Sequence, residues 1–365
     1  MVARGADVSN RIAILGAGAV GTYIGAYLSK HGYAPTLIDM WGAHVDRLNG
    51  HGARIIDFRG DQTIPVRAVH LADARQLREP FDFVFLAVKS YDTEWATHLA
   101  KDLLRPDGCI VSAQNCMNDD LISSIVGHNR EIPCVIGKYA VALWEPGVVT
   151  RRVEAGGGPQ LVFRVGEQHG HITQRVEDLA RMLECVDGAK TTTNIWGERW
   201  AKLALNAASN TVIAITGCGS QETTADTRAR MAYIKIVRET VLVAQALNYR
   251  VEPVYGVQAD VWARADKGDA FEECDASLRP DPKKAEWRSS MAQDIIKGRK
   301  TEIEQMNGFL VAAGRKAGVP TPANAAMVEV VRDIEAGRLK PQMSNVDRFL
   351  SRAIATALTT GVDSG

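Results

Sequence analysis

Ten residues near the start of the chain, Ile12-Ala13-Ile14-Leu15-Gly16-Ala17-Gly18-Ala19-Val20-Gly21, constrain the fold more than any other segment. The apolar run Ile12–Leu15 suits a buried strand, and Val20–His31 has the spacing of a helix. A strand running into a helix through Gly-x-Gly-x-x-Gly is the context of a dinucleotide-binding βαβ unit. Gly16 permits the tight turn, Gly18 lets the backbone approach a pyrophosphate, and Gly21 lets the helix pack closely on the strand. The backbone around Ala17, Ala19 and Val20 then offers the N–H groups and partial positive charge of a helix N-terminus to phosphate.

The next apolar run, Pro35-Thr36-Leu37-Ile38-Asp39, ends on a carboxylate 18 residues past Gly21. An acid about 20 residues beyond the glycines is placed to bind the adenosine ribose hydroxyls. A 2′-phosphate there would face a carboxylate about 4 Å away, a repulsion of ~1–4 kcal/mol across effective dielectrics of 80 to 20. No Arg or Lys lies immediately beside Asp39, and Arg47 is a helix away. NAD(H) is therefore the expected cofactor and NADP(H) is disfavoured. The competing reading of Asp39 is an ordinary turn residue at a strand end.

Through about Val165, strand-like runs (Phe83–Val88, Ile110–Ala113, Cys134–Ile136) alternate with helical stretches (Ala43–Leu48, Thr93–Leu104, Asp119–Ile125). That alternation predicts an α/β, Rossmann-type domain with a mostly parallel sheet over residues 1–192. Lys89 and Asn115 follow strands of that sheet, at the carboxyl ends where ligands collect. The glycine-rich stretch Gly156–Pro159 reads as a turn joining Val148–Val153 to Leu161–Val165 in an antiparallel extension of the sheet. From about Asn194 the strand signals vanish. Helical periodicity dominates in Trp196–Val212, Thr224–Leu247, Ala285–Lys297, Glu302–Ala317, Ala323–Ala336 and Val346–Leu358, predicting an all-α domain over 193–365. The charged, weakly periodic Ala265–Lys284 reads as a mobile excursion.

The 365 residues suit two domains, and 43 basic residues balance 43 acidic ones. A chain without basic excess is a poor nucleic-acid binder. No apolar run reaches the ~18–20 residues that span a bilayer, and no signal-peptide pattern is evident. Six scattered cysteines, with no CxxC pair and no His at ligand spacing, imply a reduced, cytoplasmic protein without a structural metal.

In the helical half, Lys202, Asn206 and Asn210 recur at four-residue intervals and form one row on a helix. Their neighbours are apolar, so the row is expected to be partly buried, although a solvated row is the plainer alternative. Thr301 suits an N-cap, which would place Glu302 and Glu304 in a first turn where acids are ordinary.

Taken in order, Gly16–Gly21, Val88-Lys89, Gln114-Asn115, Trp200-Ala201-Lys202-Leu203-Ala204-Leu205-Asn206, Asn210, Ser290-Met291 and Thr301–Phe309 resemble the ketopantoate reductase (2-dehydropantoate 2-reductase) family across nearly the whole chain. The resemblance implies that Lys202 is the proton donor, that Asn206, Asn210 and Ser290 hold substrate, and that Asn115 and Glu302 lie at the cofactor–substrate junction. It also implies hydride transfer between nicotinamide and a 2-oxo or 2-hydroxy compound, by default 2-dehydropantoate to pantoate, with a site in the cleft between the domains and a homodimer formed through the helical domain. Departures accompany it. Asp39 stands where NADPH users carry Arg, and Asn115-Cys116 replaces the usual Asn-Gly. Ser220 and Trp287 stand where the family places Asn, Trp144 sits near the cofactor end of the sheet, and Ala265–Lys284 has the character of an insertion. Fewer amides and an added aromatic suggest a bulkier or more apolar substrate, a secondary alcohol or ketone. A non-catalytic NAD(H)-sensing protein is the alternative from another class.

Overall fold

A computed structural model describes residues 10–137, 140–151, 162–283 and 285–359. The chain divides into two compact units, Met1–Ile195 and Trp196–Gly365.

The first unit is built on strands β1 (Ile12–Leu15), β2 (Thr36–Asp39), β3 (Ala53–Asp57), β4 (Gly60–Ile64), β5 (Arg67–His70), β6 (Phe81–Leu86), β7 (Leu104–Ser112), β8 (Glu131–Ile136), β9 (Val141–Glu145), β10 (Val148–Arg151), β11 (Phe163–Val165) and β12 (Ala189–Thr191). Eight of them form one sheet in the order β12-β11-β8-β7-β6-β1-β2-β5. All its pairings are parallel except β11 with β8. Helices α1 (Ala19–Lys30), α2 (Gly42–His51), α3 (Thr93–Leu103), α4 (Asp119–Val126) and α5 (Gln174–Leu183) accompany this sheet. This is the expected Rossmann-type α/β arrangement.

A second sheet, in the order β4-β3-β10-β9, lies on α1. Trapped between two sheets, α1 has no solvated face over Gly21–Leu28, and every residue there is buried. Tyr23 and Tyr27, on that helix, donate to Asp57 Oδ2 at 2.5 and 2.7 Å. Arg151 bonds Asp187 and Tyr23 Oη, fixing β10 to the loop before β12.

The expected antiparallel extension is corrected in part. Phe163–Val165 does pair antiparallel with β8, but Val148–Arg151 joins the second sheet, parallel to β3 and antiparallel to β9. The alternating burial of β10 puts Val149 under α1 rather than continuing the main sheet. The Gly156–Pro159 turn lies outside the described residues.

The second unit is helical: α6 (Ile195–Thr216), α7 (Ser220–Ala225), α8 (Thr227–Ala246), α9 (Ala259–Ala263), α10 (Gly268–Leu278), α11 (Ser290–Ile296), α12 (Phe309–Ala317), α13 (Pro322–Glu335) and α14 (Asn345–Thr359). The stretch read as one helix from Thr224 breaks at Asp226, whose carboxylate caps α8 by accepting from the N–H groups of Arg228 and Ala229. Ala265–Lys284 is not an irregular excursion. Much of it is α10, which packs on α8 and α9 through buried Cys274 and Leu278 and through a buried Arg230–Asp275 ion pair at 2.6 Å. The outward charges masked its periodicity. Among the described residues no helix is long and apolar enough to cross a membrane.

Glu239 of α8 is buried against the start of α13, where it accepts from Ala323 N, Asn324 N and Asn324 Nδ2 at 2.7–2.9 Å. Those donors favour the carboxylate, but burial outweighs them and pushes the group from 4.5 up to about 7. Between these values the unfolded chain ionises while the folded one keeps its proton. The contribution is therefore full below pH 4.5 and is lost as the pH rises to about 7. Urea denaturation of wild type and Glu239→Gln across this range is expected to show their stability difference shrinking by on the order of 3 kcal/mol. A difference that stays flat with pH would contradict this account.

Candidate active site

In the first unit, β1 delivers the chain into the glycine turn at the point where the sheet order reverses, with β6 on one side and β2 on the other. The turn is tied to β2 by bonds from Gly16 N and Ala17 N to Ile38 O, at 2.9 and 3.3 Å. Gly16 has φ +97°, and a Cβ there would meet the backbone of Ala87 and Val88 within 2.8 Å. A Cβ on Gly21 would fall 2.1 Å from Gly16 O. Gly18 is different: nothing lies within 4 Å of a Cβ built there. Its missing side chain serves no internal packing and leaves backbone open at the start of α1. No acid occupies the first turn of that helix and no side chain caps it, so its positive end is available to an anion.

The remaining sequence-derived positions of this unit fall on the same edge. Asp39 ends β2 and accepts from Trp41 N through Oδ1 at 2.9 Å. Lys89 and Asn115 follow β6 and β7, and their loops are stitched together. Gln114 Nε2 donates to Val88 O at 2.9 Å, Ser90 Oγ to Asn115 O at 3.2 Å, and Asn118 Nδ2 to Asn115 O at 2.8 Å. Gly16–Gly21, Asp39, Lys89 and Asn115 thus line the carboxyl ends of four neighbouring strands, β7-β6-β1-β2. Cys116 occupies the left-handed region at φ +68°. That conformation costs a non-glycine residue roughly 1–2 kcal/mol and accounts for glycine being the easier residue there.

In the second unit the row on α6 is buried as expected: Lys202 is half-buried, and Asn206 and Asn210 are 4% and 6% exposed. Ser290 is brought to it by its neighbour. Ser289 caps α11 by accepting from Ala292 N at 3.1 Å and donates to Asn210 O at 2.9 Å. Glu302 is buried, and Thr301 Oγ1 accepts from Ile303 N at 3.3 Å. The expected helix begins with a π turn over Glu304–Gly308 before α12, a widening common at functional sites. Asn307 within that turn is fully buried and donates through Nδ2 to Ala207 O of α6 at 3.2 Å and to Asn324 Oδ1 at 3.0 Å. A chain of polar groups from Glu239 through Asn324 and Asn307 therefore holds the π turn against the helix bearing Lys202. Sequence reasoning did not single out this chain, and its only signal is the presence of Asn and Glu among apolar residues.

Ser220 and Trp287 also meet. Ser220 N donates to Trp287 O at 3.0 Å, Trp287 N donates to Ser220 Oγ at 3.3 Å, and that hydroxyl donates to Glu286 Oε1 at 3.3 Å.

Two family models match the chain in succession: ketopantoate reductase PanE/ApbA over residues 12–157 and its C-terminal counterpart over 194–335. The chain belongs to the ketopantoate reductase family. It is accordingly an NAD(P)-dependent oxidoreductase acting on CH–OH groups. Its relatives include the 2-dehydropantoate 2-reductases of Archaeoglobus fulgidus, 29% identical over 90% of this chain and 98% of that one, and of Mesorhizobium japonicum, 28% identical over the same shares. A family ketopantoate reductase from Ralstonia eutropha JMP134 is 27% identical, with a TM-score of 0.72 over 90% of this chain and 99% of that one. The fold is shared by a D-mandelate dehydrogenase solved with NADH and anilino(oxo)acetate, 22% identical, with a TM-score of 0.74 over 90% of this chain and 100% of that one.

The two glycines separate packing from ligand contact. Gly18→Ala is expected to leave the melting midpoint unchanged and to weaken NADH binding at least tenfold by obstructing approach to the backbone. Gly21→Ala is expected to lower the midpoint as well, because its methyl must displace Gly16. Thermal melts and fluorescence titration with NADH check both.

Proposed function

We propose that the protein is an NAD(H)-dependent reductase of a small 2-oxo acid, with conversion of 2-dehydropantoate to pantoate as the default reaction. The observation that carries the reading is the α6 row: a half-buried ammonium and two buried amides, with Ser289 tethering Ser290 beside Asn210.

The open backbone at Gly18 and the uncapped positive end of α1 fit a pyrophosphate, and Asp39 is placed to take a ribose hydroxyl. Trp41 N already occupies Asp39 Oδ1, which leaves Oδ2 for that contact. The same carboxylate repels a 2′-phosphate, which supports NADH over NADPH. Lys89 and Asn115 serve the cofactor from the adjoining strand ends.

Bound nicotinamide supplies the hydride. Hydride arrival at a ketone carbon builds negative charge on its oxygen, and the Lys202 ammonium stabilises that charge and gives the proton. Glu302, which the family resemblance puts at the same junction, would favour the charged form of Lys202. Asn206, Asn210 and Ser290 bind the carboxylate and carbonyl, each hydrogen bond to a charged group contributing roughly 1.5–3 kcal/mol.

A second reading, a bulkier or more apolar secondary alcohol or ketone, draws support from Ser220. Its hydroxyl proton is spent on Glu286 and one lone pair on Trp287 N, so it has no donor left for a hydroxylated substrate. Comparing kcat/KM for 2-dehydropantoate with that for branched and aromatic ketones decides between the two.

Lys202→Ala is expected to lower kcat by about 10²–10⁴ while NADH affinity stays within twofold. Steady-state rates and NADH titration test this, and undiminished turnover would remove Lys202 from the chemistry. A wild-type protein that binds NADH without reducing any 2-oxo acid would instead favour a sensor. Asp39→Ala is expected to narrow the preference for NADH over NADPH at least fivefold, read from the ratio of the two kcat/KM values.

A further inference from the structure

Beneath the glycine turn lies a chain of buried polar groups to which the activity as described gives no role. His44 of α2 and Thr22 of α1 are both fully buried. Gly147 N, in the turn between β9 and β10, donates to His44 Nδ1 at 2.8 Å. A backbone N–H can only donate, so Nδ1 is the acceptor nitrogen and the ring proton sits on Nε2. Nε2 lies 3.1 Å from Thr22 Oγ1, which therefore accepts from it and donates onward to Ala17 O at 2.7 Å. Each bond has one permitted direction, and the chain ends on a carbonyl of the glycine turn. The ring of Trp41 stacks on His44 with centroids 5.5 Å apart and holds it in plane.

In a trans peptide the carbonyl and the following N–H point in opposite directions. Drawing Ala17 O inward therefore turns Gly18 N–H outward, at the residue whose Cβ position is open space. We infer that His44 is a positioning residue of the dinucleotide site: through Thr22 it fixes the Ala17–Gly18 peptide so that its N–H faces the phosphates. The inference rests on the cofactor reading of the glycine turn and is independent of the substrate.

The chain works only with a neutral imidazole, since a proton on Nδ1 would oppose Gly147 N–H. Burial lowers the His44 pKa below 6.5 and secures that form, while Asp39 and the nearby backbone carbonyl of Ala17 act in the opposite sense. The other charged groups on the surrounding elements are Asp46, Arg47 and His51 on α2, Lys30 at the far end of α1, Arg67 and His70 on β5, Arg54, Asp57 and Asp61 on β3 and β4, and Glu145 and Arg151 on β9 and β10. The charge that bears on the ring is that of Asp39.

Fluorescence titrations with NADH and, in parallel, NADPH on the full-length wild type, Thr22→Val, His44→Phe and His44→Gln test the assignment. The two cofactors share the pyrophosphate, so a wrong cofactor preference shifts one series relative to the other and leaves the pattern among variants intact. Thr22→Val keeps the shape of the side chain but breaks the chain, and His44→Phe removes the ring nitrogens. Each is expected to weaken both cofactors about fivefold at pH 7.5, the order of one lost hydrogen bond. Gln offers an acceptor to Gly147 and a donor to Thr22 without a titrating ring. His44→Gln is expected to bind within twofold of wild type at pH 7.5 and to outbind it as the pH falls towards 5. Thr22→Val binding like wild type, or His44→Gln as weak as His44→Phe, overturns the inference. So does a loss of affinity that only follows the melting midpoint across all three variants, the behaviour of a purely structural histidine. If Thr22→Val does not fold, the two His44 variants still decide.

Discussion

The approach of α1 to β1 is the constraint from which the rest of the first unit follows. With 2.1 Å between a Cβ at position 21 and Gly16 O, only glycine lets the helix start where it does. That contact aims the positive end of α1 across the carboxyl edge of the sheet, at the reversal of strand order between β6, β1 and β2. The second sheet then removes the outer face of α1 from solvent, so the helix is held from both sides and its N-terminus has little freedom to move. The phosphate site proposed for this backbone depends on such fixity, because no side chain is present to adjust.

The parts of this arrangement carried by short-range pattern were legible in the sequence. β1 matches its apolar run residue for residue, and Asp39 ends β2 as its spacing required. The row Lys202, Asn206 and Asn210 is buried because its neighbours are apolar, a local property that helical periodicity exposes. Of the second sheet, β10 was legible as a strand, whereas β3 and β4 were not. Arg54, Asp61 and Thr63 are exposed, and only Ala53, Ile55 and Ile64 face inward, so the segment lacks a continuous apolar run. α10 was hidden in the same way, its inward face being two apolar residues and a buried ion pair.

Pairings over long separation were beyond any local pattern. Ser220 and Trp287 stand 67 residues apart in the chain, and Ser289 and Asn210 stand 79 apart. The second case is instructive. The family resemblance pointed to Ser290, but it is the preceding serine that makes the buried bonds, capping α11 and anchoring it to α6. Ser289 holds the position and Ser290 is the one presented. The function proposed above draws on Ser290, whose position is set by the hydroxyl of its neighbour.

The same division recurs with the amides. Asn206 and Asn210 keep company with Lys202, whereas Asn307 and Asn324 lie behind them in a chain that ends on the carboxylate of Glu239. Glu239 accepts from the backbone N–H groups of Ala323 and Asn324 and takes Asn324 Nδ2 as a third donor, which turns Asn324 Oδ1 towards Asn307. Asn307 must then present its own Nδ2, the group that reaches Ala207 O beside Asn206. In both units backbone N–H groups set the direction, those of Ala323 and Asn324 at Glu239 in one and that of Gly147 at His44 in the other. Amides, hydroxyls and a neutral imidazole can be turned either way, and each chain gains its direction from backbone donors that cannot.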